Sequence, residues 1–203
     1  MNIEKLLFDG LAPGTAPTRR ALLLAEPLMK EPYFRRSVVL ILEKDAAGGY
    51  IGLTLNKRAG LRLGDLFPGW THGADIEVYS GGPVEEQRMF MLHTLGDVLS
   101  GSHEILPGIY VGGDLEDIGR YIKSGGDTED KIRFFLGYSG WGADQLDKEL
   151  LSRSWAVADV GSDREDVKRL LSGSENDYWR REVERLGDSC RSWLVVPETP
   201  WLN

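Results

Sequence analysis

The sequence predicts an α+β fold: one compact domain on an antiparallel or mixed β-sheet, with helices mostly in the C-terminal half. Three observations carry that prediction. Short apolar and β-branched runs recur along the chain, turn chemistry joins the early ones as hairpins, and helical spacing of apolar residues gathers late. No composition break marks a linker, so residues 1–203 read as a single domain. A chain of this length buries roughly 70% of its unfolded surface and needs no metal or disulfide staple.

Ile3, Leu6 and Leu7 have helical spacing, and a Pro/Gly-rich loop follows at residues 11–18, so residues 1–20 read as a short helix and a loop. Residues 21–25 form a buried strand. Pro27 and Pro32 make the next stretch irregular, because each fixes φ and removes a donor. Residues 37–43 (SVVLILE) form a central strand, residues 44–49 a turn and residues 50–55 the returning strand. A short helix is expected over residues 62–67. Strands follow at 76–79, 89–93 and 109–111.

Leu115, Ile118 and Ile122 repeat at helical spacing behind Asp114, a candidate N-cap, and Gly125-Gly126 ends that helix. Residues 131–136 read as a strand and the glycine-rich residues 137–142 as a turn. Leu146, Leu150 and Leu151 mark a helix, and residues 155–160 a strand. Residues 161–203 read as helical, beginning with a capping box at Ser162 and Glu165 and including Tyr178, Val183 and Leu186. A last strand is expected at residues 193–196.

Charge narrows the partners. Lys and Arg number 24 against 32 Asp and Glu, a formal net charge of −8. Nucleic-acid binding needs cations to displace counterions, so a nucleic-acid partner is not expected. A basic cluster at Arg19, Arg20, Arg35 and Arg36 reads as solvated surface. No stretch has the length of a membrane span or a secretory signal, and Cys190 is the single cysteine, so the expectation is a cytoplasmic protein without a membrane role.

Chemical signatures are sparse. The sequence has no P-loop and no dinucleotide fingerprint. Ser139 lacks the second glycine of a nucleophile elbow, since Trp141 stands there. His72, His93 and His103 have no metal-ligand spacing, so no cofactor or metal is expected. The informative features are two glycine-rich stretches, Ser80-Gly81-Gly82-Pro83 and residues 137–142, which read as tight turns and can present several backbone N–H groups to an anion. Trp70 and Trp141 stand in loop-like contexts where an indole could stack on a ligand, whereas Trp155 and Trp193 read as core.

The same stretches carry a family resemblance. Residues 23–27 (LLAEP), 34–42 (FRRSVVLIL), 52–56 (GLTLN), 79–84 (YSGGPV), 91–93 (MLH), 108–114 (GIYVGGD) and 137–145 (GYSGWGADQ) occur in the order of the YqgE/AlgH family. The chain is identified as resembling that family over most of residues 20–160. The resemblance implies a compact α+β domain with antiparallel sheet and implies no particular reaction. One branch has a name linked to transcriptional regulation of polysaccharide synthesis. Lys44 stands where the family often has His, and Asp144 where it often has Gly.

The expected role is a non-enzymatic binding or regulatory domain with a protein or small-molecule partner. Its binding set is Asn56, Gly81, Gly82, Pro83, His93, Asp114, Tyr138, Gly140, Trp141 and Gln145. One alternative is a hydrolase-like enzyme with a carboxylate–His site at His93 and Asp114. A transcriptional regulator is the other, and it rests on the family name alone. The sequence assigns no oligomeric state.

Overall fold

A computed structural model of the chain describes residue 17 and residues 21–161, 163–172 and 175–198. The helix and loop expected before residue 20 fall outside these residues, Pro17 apart. Ten strands form one mixed sheet with the path β10-β1-β2-β3-β9-β6-β8-β7, and β4 and β5 attach beside it. The strands are β1 Ala21–Ala25, β2 Val38–Lys44, β3 Tyr50–Thr54, β4 Arg58–Arg62, β5 Glu77–Ser80, β6 Val84–His93, β7 Ser102–Leu106, β8 Ile109–Gly112, β9 Ile132–Trp141 and β10 Trp155–Asp159. The helices are α1 Leu63–Leu66, α2 Leu115–Lys123, α3 Gln145–Leu151, α4 Arg164–Leu171 and α5 Glu175–Arg185, followed by a 3-10 segment Gly187–Val195. Pairing is antiparallel except between β5 and β9.

β1 and β2 are continuous apolar runs because both of their faces are buried, and side chains alternate between faces with a period of two. Leu22, Leu24, Val38 and Leu40 face a core shared with α4, α5 and the 3-10 segment. Leu23, Ala25, Val39 and Ile41 face a second core with Trp141, Trp155 and α3. A third core gathers Val78, Met91 and Phe134 beneath Ile118 and Ile122 of α2.

Four expectations need correction. Residues 137–141 are not a turn but the second half of β9, whose Ser139–Trp141 pair with Tyr50–Gly52 of β3. Residues 193–196 are not a strand; most of them end the 3-10 segment, where buried Trp193 stacks on Trp179 at 6.4 Å and 3°. The N-cap of α4 is Asp163, whose carboxylate accepts from the Asp166 N–H at 2.8 Å, while Ser162 lies outside the described residues. Strand β4, mostly exposed, and strand β7, polar over Ser102–Glu104, had too little apolar alternation to be expected.

Candidate functional site

The residues singled out in the sequence separate into four places. At the first, two glycine stretches cross. The Gly81 N–H donates to the Leu136 carbonyl at 2.7 Å, and the Thr54 N–H donates to the Gly81 carbonyl at 2.8 Å. A Cβ on Gly82 would lie 2.0 Å from the Tyr138 carbonyl carbon, and one on Gly137 would lie 2.4 Å from the Gly82 oxygen. Glycine is therefore required where backbone meets backbone. Ser139 is buried, and its hydroxyl bonds to the Gly81 carbonyl and the Thr54 hydroxyl, each at 3.0 Å. Pro83 and Gly140 are exposed beside this crossing, and Tyr138 meets Phe90 edge-on at 6.0 Å.

The second place is the end of β9. Trp141 is buried and packs edge-on against Trp155 at 5.9 Å. Both indole N–H groups donate to Glu149 Oε2, at 2.9 and 2.7 Å. Gln145 donates to Glu149 Oε1 at 2.9 Å and accepts from the Gly142 N–H at 3.1 Å. Glu149 organises this cluster, yet its sequence position on a helix resembles that of any surface glutamate. Asp144, in the position where the family often has glycine, has φ +60°, a left-handed conformation that Asp tolerates.

Asn56 is the third. It is buried, accepts from the Val38 N–H at 2.9 Å and donates to the Arg36 carbonyl at 2.8 Å.

His93 and Asp114 form the fourth. His93 is fully buried, accepts at Nδ1 from the Leu95 N–H at 3.1 Å, and contacts the Gly112 carbonyl through Nε2 at 3.0 Å. A carbonyl only accepts, so Nε2 carries the proton and the ring is neutral. Burial lowers the His93 pKa from its usual 6.5, against the opposing pull of the Gly112 bond. Asp114 is exposed and caps α2, accepting from Glu116 and Asp117 N–H groups at 2.7 and 3.1 Å. No hydrogen bond joins His93 to Asp114 among the described residues.

The concave apolar site lies elsewhere, between α2 and the loop after α1. A cleft of about 450 Å³ is lined by Phe67, Trp70, Leu115 and Gly119, with His72, Glu116, Arg120 and Lys123 around it. Trp70 stacks on Phe67 at 5.0 Å and 25°. Its backbone N–H donates to the Phe67 carbonyl at 2.8 Å, which fixes the loop. Gly119 lets the indole approach the helix, since a Cβ there would lie 3.3 Å from Trp70 Cζ2. A larger groove of about 770 Å³ is rich in carboxylates, and its lysines are paired, Lys131 with Asp127 at 2.9 Å and Lys168 with Asp130 at 3.9 Å. Among the described residues no group of three or more His, Cys, Asp or Glu side chains could hold a metal ion, and no helix is long and apolar enough to cross a membrane.

Comparison with known proteins gives consistent matches. The AlgH-like family matches residues 22–191. A UPF0301 protein of Parabacteroides distasonis is 37% identical over 200 residues, covering 98% of each chain. A UPF0301 protein of Bacteroides thetaiotaomicron is 34% identical over 203 residues, the full length of both. The solution structure of the AlgH protein from Pseudomonas aeruginosa superposes with a TM-score of 0.66 at 26% identity, covering 87% of this chain and 93% of that one. A crystal structure from Corynebacterium diphtheriae, at 23% identity and TM-score 0.66, shares the fold over 88% of this chain and 92% of that one.

Proposed function

From the premise that the chain belongs to the AlgH-like family, we propose that it is a non-enzymatic binding domain with the Trp70 cleft as its small-molecule site. One observation carries the reading: a half-buried indole forms one wall of an apolar cleft of about 450 Å³, within the usual size range of ligand sites. The residues with the strongest chemical potential are committed elsewhere. His93 spends both ring nitrogens on backbone, and the Asp114 carboxylate spends itself on the start of α2. A general base needs a free nitrogen or oxygen within reach of substrate, so this pair favours scaffold over hydrolysis. The proposal places the protein in the cytoplasm, supported by Cys190 being a buried free thiol.

A thermal-shift screen of nucleotides, sugar phosphates and small acids tests the reading. A ligand at 100 times its Kd stabilises the folded state by about 2.7 kcal/mol. In a chain of this size that raises the Tm by roughly 5–11 °C. The shift is expected to vanish in Trp70→Ala and to survive in Gln145→Ala. A shift that persists in Trp70→Ala places the ligand elsewhere and defeats the proposal.

A further inference from the structure

Two cations, Arg120 and Lys123, line the Trp70 cleft together with Glu116, on a chain whose net charge is −8. Arg120 and Lys123 lie about one turn apart on α2, with His72 also lining the cleft and Glu116 one turn before Arg120. Arg120 is tied to Asp117, whose carboxylate is itself fixed by the Ser100 hydroxyl and by the Ser100 N–H at 2.9 Å. Lys123 and His72, both exposed, have no hydrogen bond or ion pair among the described residues. Several other surface cations are matched, such as Arg58 with Glu77 at 3.3 Å, Arg88 with Glu85 at 3.2 Å and Lys131 with Asp127 at 2.9 Å, whereas Lys123 belongs with the exposed Lys30 and Lys148 in having no ion pair among the described residues. The cleft thus combines a flat aromatic wall, seated on the helix at Gly119, with an ammonium that has no partner among the described residues.

We infer that the ligand is a planar, mostly apolar molecule bearing one anionic group, with its ring against the Trp70 wall of the cleft and its anion at Lys123. This inference rests on the Trp70 cleft being a ligand site. Gly119 and Lys123 are about 6 Å apart along the helix axis, a span that a bicyclic acid and the lysine side chain cover together. Apolar walls exclude water from one side of the ion pair and strengthen it, while added salt weakens it from the exposed side.

The experiment uses three matched probes: 2-naphthoate, 2-naphthamide and 2-naphthylmethylammonium. Each is titrated into the isotope-labelled full chain, with the Trp70 indole N–H and the Gly119 amide read by NMR. The naphthoate is expected to bind about tenfold more tightly than the amide, the size of effect a single partly screened ion pair gives. In Lys123→Gln, an exposed substitution, that preference should fall to within about twofold while the amide's Kd is unchanged. Equal binding of naphthoate and naphthamide, with both reporter signals moving, overturns the anionic assignment and leaves the cleft reading standing. Tightest binding by the ammonium also overturns it. No movement of either reporter with any probe at about 10 mM defeats the cleft reading itself, because even fragments of this size reach millimolar affinity in a real site.

Discussion

At Asn56 a side-chain amide does the work of a strand. Its two hydrogen bonds satisfy the Val38 N–H and the Arg36 carbonyl where β3 has already ended. Asn56→Ala leaves a buried donor without its partner and is expected to cost about 1–3 kcal/mol, read as a lower urea midpoint at unchanged m-value. His93 gives a second measurable consequence. Its folded pKa is depressed by burial, so the unfolded chain binds the proton more readily. Its contribution to stability is complete above the unfolded pKa of about 6.5 and is lost as the pH falls below it. Denaturation midpoints at pH 8, 6 and 5 should show this loss, and His93→Gln should remove part of the slope. The sequence displays both residues as polar groups at the ends of apolar runs, which is the appearance of a binding site. It cannot display that their polar atoms are already spent on backbone from distant segments.

The elements divide by how local their causes are. α2 was legible from Asp114 and the spacing of Leu115, Ile118 and Ile122, because the cap and the buried stripe lie within one short segment. Asp114→Ala is expected to cost about 1 kcal/mol in thermal unfolding, and Asp114→Ser to recover most of it, since serine caps as well as aspartate. A catalytic carboxylate would gain nothing from serine. The second half of β9 was illegible because its glycines answer to residues 81–82, far away in sequence. β4 was illegible because four of its five residues are exposed and its pairing to β5 is irregular. The Trp70 cleft falls between these cases. Trp70 was visible as a loop indole, but the helix face opposite it was hidden behind an ordinary-looking Gly119.

Across the whole molecule, the glycine crossing ties β3, β5, β6 and β9 together. Gly137 has φ +70° and no room for a side chain, so Gly137→Ala should prevent accumulation of folded protein. Gly60 has φ +72° but open space around it, and Gly60→Ala should cost only the backbone penalty of about 1–2 kcal/mol. Comparing soluble yield and Tm of the two variants separates crowding from backbone strain.

β9 holds β3, β5 and β6 in place, yet it is among the last strands to be made. On the ribosome, the apolar hairpin at Val38–Thr54 therefore emerges long before Ser139–Trp141 arrive to cover its open edge. Pairing across such distances is slow, and an uncovered strand edge is a template for association with other chains. Throughout that interval the unfinished sheet is open to pairing with its neighbours, a hazard that the stability of the finished sheet does nothing to remove.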